Sequence, residues 1–92
     1  MDRNDDLRGY LVKSKKGRDL GSYYILNDVL DAYFVTLVDG RKHTFESPKR
    51  KNIKHLFIVA KADEDIVRGM MTQDKNCLKN IAELIGLKAK EV

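Results

Sequence analysis

The sequence predicts a mainly β domain of five short strands closed into a small barrel, followed by a C-terminal α-helical extension. Up to about residue 60, short runs of β-forming residues alternate with turn signals, a spacing typical of small antiparallel barrels. After residue 62 the apolar residues change to helical spacing. Closure would also remove the exposed edges that so small an antiparallel sheet otherwise presents.

The first three strands follow from β-forming runs and the turns between them. Residues 7–13 are predicted to form the first strand, and residues 22–26, with two tyrosines and an isoleucine, the second. Residues 27–31 are rich in Asn and Asp and are predicted to turn the chain. Residues 32–38 carry the clearest strand, with Tyr, Phe, Val, Thr and Leu in succession.

The last two strands are placed by a hairpin signal and a basic stretch. Asp39-Gly40 directly follows the third strand, and glycine accepts the positive φ of a two-residue type I′ turn. Residues 41–46 alternate polar and apolar side chains and are predicted to be the fourth strand. A Ser-Pro pair ends it, a basic loop follows, and residues 54–59 are predicted to form the fifth strand.

Two helices are predicted after the barrel. Asp63 can cap a short first helix, which has further acidic residues in its first turn. Asp74 is the expected N-cap of the second helix, and Gly86 is expected to lie just beyond its end. Its apolar residues, at i, i+3, i+4 and i+7, are Leu78, Ile81, Ala82 and Ile85. This stripe is expected to pack on the barrel, and docking of a partner is the alternative.

Length and charge narrow the functional class. The 92 residues are expected to form a disordered tail at 1–6, the barrel at 7–60 and the helical extension at 61–92. With 18 Lys and Arg against 14 Asp and Glu, the chain carries a net charge of +4. The positive charge is concentrated in the first two-thirds of the chain, as in proteins that bind nucleic acid.

Targeting and redox features predict a cytoplasmic protein. The chain begins with acidic residues, unlike a secretory signal. No apolar run approaches the roughly 20 residues that span a bilayer. The single cysteine, Cys77, excludes an intrachain disulfide and a thiolate zinc cluster. We therefore expect a soluble, cytoplasmic protein without a membrane partner.

Catalytic and metal sites need several converging groups, and the sequence contains no such motif. His43 and His55 each stand alone, without HxxxH or CxxC spacing. The acidic run at residues 63–65 lacks the spacing of a calcium loop and fits helix capping. Cys77 is predicted to be a half-buried, small apolar residue. We therefore expect neither an enzyme nor a bound cofactor.

Two cationic segments are the candidate functional sites. In residues 13–18 four of six side chains are basic, and Gly17 and Gly21 bracket the turn. The second segment is the basic loop at residues 47–55, and two further cations precede it. In a five-strand barrel the two loops can share one rim, where cations meet phosphates. The alternative is a solvated turn whose lysines only aid solubility.

Residues 8–60 contain a series of elements in a fixed order: a strand, Ser-x-x-Gly-Arg-Asp-x-Gly, a second strand, Asp-Gly, a basic loop and Lys-His-Leu. This series resembles the KOW-domain RNA-binding proteins related to large-subunit ribosomal proteins of archaea and eukaryotes, and their small bacterial relatives. The resemblance implies an SH3-like barrel that binds ribosomal RNA or the translation machinery, with Gly21 as the characteristic turn glycine. The cationic segments and the resemblance together assign to RNA binding Lys13, Ser14, Lys15, Lys16, Gly17, Arg18, Gly21, Arg41, Lys42, Lys49, Arg50, Lys51, Lys54 and His55.

The expected mechanism is readout of RNA shape and charge through phosphates, without strong base readout. Most aromatic side chains are expected to fill the core. Only one of the neighbours Tyr23 and Tyr24 can face inward on a strand, so the other is a candidate for stacking on a base.

A protein–protein interaction module that docks on the ribosome or on RNA polymerase is the alternative function. Ribosomal proteins would then be the partners, and the adjacent Met70 and Met71 in an apolar tail would suit this role. The basic run at residues 48–51 also resembles a nuclear import signal, although a phosphate-binding loop explains it equally well.

Overall fold

The computed structural model describes residues 7–61 and 63–90, so the predicted disordered tail at 1–6 lies outside the described residues. The strands are β1 (Leu11–Ser14), β2 (Tyr23–Val29), β3 (Phe34–Val38), β4 (Lys49–Asn52) and β5 (Leu56–Ala60). The helices are α1 (Glu64–Thr72) and α2 (Lys75–Lys90), and a 3₁₀ turn, Ile53–His55, joins β4 to β5.

All five strands form one antiparallel sheet in the order β4-β3-β2-β1-β5. The prediction of a five-strand β domain with a helical extension is therefore confirmed. The predicted closure into a barrel is not observed, because β4 and β5 are the two edges and no ladder joins them in the described chain. The three residues between them fold into the 3₁₀ turn, which Asn52 caps, and so connect the edges without pairing them.

The predicted fourth strand at residues 41–46 is wrong, and β4 lies instead in the predicted basic loop. The Asp39 carboxylate accepts hydrogen bonds from the backbone N–H groups of Arg41 and His43, each at 2.9 Å. This turn folds the chain locally and keeps the segment out of the sheet. The chain then returns, and Lys49–Asn52 pairs with β3.

β2 is longer than predicted because it continues into the expected turn at residues 27–31. Its last two residues pair with β3 after an irregularity in the register. The chain reverses at Asp31, whose carboxylate accepts hydrogen bonds from the backbone N–H groups of Tyr33 and Phe34, both at 2.8 Å. An Asp side chain can close a tight turn in this way, and the turn places Phe34 at the start of β3.

Alternation of side chains along the strands divides the core into two clusters. One cluster lies on a single face of the sheet and contains Val12, Tyr24, Leu26, Val35, Leu37 and Leu56. On the opposite face, strand residues pack against both helices, in a cluster of Leu11, Ile25, Val38, Ile66, Met70, Cys77 and Ile81. The apolar stripe of α2 therefore packs on its own sheet, as expected.

The helix starts agree with the predicted caps, but the end of α2 does not. The Asp63 carboxylate accepts from the backbone N–H groups of the first turn of α1, and that of Asp74 accepts from Asn76 N–H at 2.9 Å. α2 continues through Gly86 to Lys90, because the residues just before Gly86 pack on the sheet and lysines in the last turn favour the helix C-terminus. None of the described helices has the length and apolarity needed to cross a membrane.

Gly40 lets α2 pack directly on the backbone of the turn that follows β3. Its φ is 78°. A Cβ at this position would collide with the backbone carbonyl oxygen of Leu78 and would lie 2.9 Å from the backbone nitrogen of Ala82. The requirement for glycine here comes from helix packing as well as from the positive φ.

Candidate nucleic-acid interface

The two cationic segments lie side by side in the structure. The loop between β1 and β2 rests against β4 and the 3₁₀ turn. Lys15 N–H donates to the carbonyl of His55 at 2.9 Å. Lys51 Nζ donates to the carbonyl of Lys16 at 2.7 Å, across 35 positions of sequence. Distant parts of the chain therefore form one region.

Asp19 is the carboxylate that fixes this region. Its side chain is 14% exposed and accepts hydrogen bonds from the hydroxyls of Ser14 and Tyr24, both at 2.9 Å. Lys51 Nζ approaches the carboxylate at 2.5 Å and Lys49 Nζ at 3.9 Å. One acidic side chain thus ties the loop to β1, β2 and β4.

The ionised form of Asp19 is the one that these contacts favour. Burial by itself raises its pKa, but hydrogen bonds from Lys51, Tyr24 and Ser14 outweigh that effect and lower the pKa to about 2. Burial, together with the Asp19 carboxylate, raises the pKa of the Tyr24 phenol. The phenol therefore stays protonated and remains a hydrogen-bond donor to Asp19.

The alternation of side chains along β4 divides the basic stretch into an inner and an outer set. Lys49 and Lys51 point towards Asp19, and the side chain of Lys51 is only 10% exposed. Arg50 points the other way and is exposed, with its guanidinium carbon 4.2 Å from the centre of the Phe34 ring. Because this stretch is a strand and not the predicted loop, only part of its charge faces solvent.

Ser14 is buried, whereas most of the loop that follows it is exposed. Ser14 Oγ lies 3.0 Å from the carbonyl oxygen of Lys16 and is bonded to Asp19, and the residue is 1% exposed. Ser14 therefore supports the loop from inside and does not face a ligand. The exposed residues of the loop are Lys15, Lys16, Gly17, Arg18, Leu20, Gly21 and Ser22.

Gly21 gives the loop its return to β2. Its φ is 89°, and its N–H donates to the carbonyl of Ser14 at 2.8 Å. A Cβ here would meet no atom within 4 Å, so the position needs glycine for its backbone conformation alone.

Three cations that were assigned to RNA binding stand apart from this group. Arg41 and Lys42 are exposed on the loop after β3, and Arg41 borders a cleft of about 430 Å³ beside α2. None of the described contacts joins either residue to β4 or to the 3₁₀ turn. Lys13 is half-buried on β1, with its Nζ 5.3 Å from the centre of the Tyr23 ring.

The remaining cations are exposed and lie on the segments that meet at the half-buried His55. We call this set the basic surface, and it consists of Lys15, Lys16, Arg18, Arg50 and Lys54 together with His55. Partial desolvation and the positive charges of Lys16, Lys54, Lys51 and Lys15 lower the pKa of His55, so its imidazole is neutral at pH 7. Several cations acting on one side chain create a positive potential that attracts anions.

Aromatic side chains border the basic surface at two places where the sequence predicted core. Phe34 is half-buried beneath Arg50, and Phe57 is 54% exposed with Lys15 Nζ 4.6 Å from its ring centre. The partial exposure of Phe34 could have been predicted from the sequence. Side chains alternate along β3, so if Val35 and Leu37 are buried, Phe34 lies on the other face. Of the tyrosine pair, Tyr24 is the buried member.

No protein-family model matches the chain, and a comparison with curated proteins finds no match. The resemblance to KOW-domain proteins therefore rests on its motif residues alone. Within residues 7–61 and 63–90, no group of three or more His, Cys, Asp or Glu side chains is placed to hold a metal ion.

Proposed function

We propose that the protein binds structured RNA through phosphate contacts on the basic surface, without catalysing a reaction, in association with ribosomal RNA or the translation machinery. The observation that carries this proposal is the meeting of two separate cationic segments around His55. An SH3-like barrel is part of the proposal. It is supported by the connection of the two edge strands through only three residues, which favours a sheet curled back on itself.

The proposed mechanism depends on the exposed cations, because Lys49 and Lys51 are directed towards Asp19. Five cations of the basic surface remain for phosphate oxygens: Lys15, Lys16, Arg18, Arg50 and Lys54. If each engages one phosphate, the logarithm of the binding constant falls with the logarithm of salt concentration with a slope of about −3.5 to −4.5. Contacts of this kind recognise the form of an RNA helix or junction.

Charge reversal on the loop tests the mechanism. The double variant Lys16→Glu/Arg18→Glu should bind a hairpin RNA much more weakly, with a salt slope less steep by at least about 1.4 to 1.8. Both side chains are exposed, so the thermal melt should change little. The matched control is Lys79→Glu/Lys90→Glu on α2, which has the same net charge and also alters exposed lysines.

Fluorescence anisotropy titrations at several salt concentrations measure both slopes. A slope near zero for the unmodified protein would contradict the proposal. Equal loss of affinity in the two double variants would also contradict it, because net charge and not the basic surface would then govern binding. Cosedimentation with ribosomal particles from cell extract should be lost only in the Lys16→Glu/Arg18→Glu variant.

A protein-binding module remains the second candidate, and the outer edge of β5, which pairs with no other strand among the described residues, favours it. Phe57, Ile58 and Val59 are 54%, 50% and 41% exposed on this edge strand. An apolar sheet edge can accept a strand from another protein. The predicted methionine pair does not provide such a surface, since Met70 is buried and only Met71 is exposed. Association with ribosomes or polymerase that survives RNase treatment would support this candidate.

A further inference from the structure

One depression on the basic surface is lined by groups that suit a single nucleobase. It is open, has a volume of about 470 Å³, and is lined by Phe34, Arg50, Lys51, Asn52 and His55. An aromatic ring, a planar cation, a side-chain amide and an imidazole thus meet in one place. Proteins that recognise unpaired RNA bases use these same kinds of side chain, by stacking and by hydrogen bonds to the base edge.

Arg50 and Phe34 form a cation–π contact in this depression. They are diagonal neighbours across β3 and β4, because Phe34 pairs with Asn52 and Arg50 with Thr36. The guanidinium carbon of Arg50 lies 4.2 Å from the centre of the half-buried Phe34 ring. Arg50 is exposed, so its guanidinium can also contact a ligand from solvent. Bases stack on guanidinium planes, and an ammonium group offers no such plane.

Polar groups also line the depression, next to the Arg50–Phe34 pair. Asn52 Oδ1 accepts from Lys54 N–H at 3.0 Å, so the NH₂ group is the part of this amide that can donate to a ligand. His55 adds a neutral imidazole, and the lysines around it can hold the phosphates on either side of the base. Asp31, which closes the turn before β3, also interacts with Arg50. Hydrogen bonds from the backbone N–H groups of Tyr33 and Phe34, and then the charge of Arg50, lower the pKa of Asp31.

We propose that this depression binds one unpaired nucleobase, stacked on the Arg50 guanidinium, while the flanking phosphates lie on the basic surface. The inference rests on the proposed function and names its ligand class: RNA with a bulged or looped-out nucleotide, in preference to an uninterrupted duplex. It adds Phe34 and Asn52 to the interface and gives Arg50 a role that its charge alone does not provide.

Two hairpin RNAs test the inference, one with a single bulged 2-aminopurine and one with that nucleotide deleted. The unmodified protein should bind the bulged hairpin about tenfold more tightly, and 2-aminopurine fluorescence should fall as the base stacks. Arg50→Lys keeps the charge and removes the plane. It should reduce the preference to less than about twofold while its affinity for the uninterrupted hairpin stays within about twofold of the unmodified protein.

Two further variants separate stacking from folding and from general loss of an arginine. Phe34→Leu keeps an apolar side chain in the sheet but removes the ring, so it should also reduce the preference, with circular dichroism reporting an intact fold. Arg68→Lys is the matched control, because Arg68 is an exposed arginine on α1, outside the basic surface and the depression. Its preference for the bulged hairpin should equal that of the unmodified protein.

The outcomes separate the two proposals. Equal binding of both hairpins with a steep salt dependence would overturn the nucleobase site and leave the proposed function standing. Retention of the preference by Arg50→Lys, or unchanged 2-aminopurine fluorescence, would overturn it as well. Absence of binding to either hairpin would overturn the proposed function and the nucleobase site together.

Discussion

Replacement of Asp19 by Asn should remove a definite, pH-dependent part of the stability. The contacts of Asp19 lower its pKa from 3.8 to about 2, which corresponds to about 2 to 3 kcal/mol at roughly 1.4 kcal/mol for each pKa unit. The folded-state pKa lies below the unfolded one, so the ionised carboxylate stabilises the fold above about pH 4. This contribution is lost as the pH falls towards 2. Asp19→Asn should therefore lower the free energy of unfolding by about 2 to 3 kcal/mol at pH 7.

Urea unfolding followed by circular dichroism, repeated between neutral and acidic pH, measures this difference. Other carboxylates titrate in both proteins, so the difference between them isolates Asp19. It should shrink to under about 0.5 kcal/mol near pH 2. Asp28→Asn is the matched control, because Asp28 pairs with Arg8 at 2.9 Å while its side chain is 52% exposed, and it should cost less than about 1 kcal/mol. A pH-independent difference, or equal costs in the two variants, would refute the reasoning.

Three further predictions concern other parts of the molecule. The free energy of unfolding of Gly40→Ala, measured by urea titration, should be at least about 2 kcal/mol lower than that of Gly21→Ala. Both positions have positive φ, but only a Cβ at Gly40 would collide with α2. Equal free energies of unfolding for the two variants would contradict this packing. The pKa of His55 is lowered from 6.5 by partial desolvation and neighbouring lysines, so RNA affinity should rise only as the pH falls below 6.5 and the imidazole gains a charge beside phosphate. His55→Gln should abolish this dependence. Burial raises the pKa of the Cys77 thiol, so Ellman's reagent should react with Cys77 only after the protein unfolds. Rapid reaction with the native protein would contradict the burial of this thiol.

Local patterns predicted those elements whose side chains repeat with a clear period. β3 and the stripe of α2 follow from their spacing, and the Asp63 cap follows from one residue and its neighbours. The prediction of a fourth strand at residues 41–46 was wrong although these residues do alternate between polar and apolar. Hydrogen bonds to the Asp39 carboxylate fold residues 41–46 into a turn, and the later segment Lys49–Asn52 pairs with β3 instead. Pairing between distant strands has no signature in either strand alone.

The same limit applies to the candidate site. The clustering of lysines and arginines is visible in the sequence, but the division of β4 into inner and outer cations depends on its pairing with β3. The internal role of Lys51 depends on Asp19, which lies 32 positions earlier in the chain. In the sequence alone, Asp19 is only an acidic residue in a basic segment. Its burial and its three hydrogen-bond donors appear only in the folded chain.

An acid at the centre of a basic region has opposite effects on RNA binding, and Asp19→Asn can show which one dominates. By charge alone, the variant has one more net positive charge and should bind RNA more tightly. The Asp19 carboxylate, however, holds the loop against β4, so the exposed cations are already in place before RNA arrives. Preorganisation lowers the cost of ordering the interface on binding.

We expect the second effect to dominate, because the Lys51 and Tyr24 contacts to Asp19 are short and largely shielded from salt, whereas an added surface charge is screened. Asp19→Asn should then bind hairpin RNA more weakly than the unmodified protein at physiological salt, despite its higher net charge. Tighter binding by this variant would show that the basic surface acts as a simple sum of charges. The buried carboxylate would then serve stability alone.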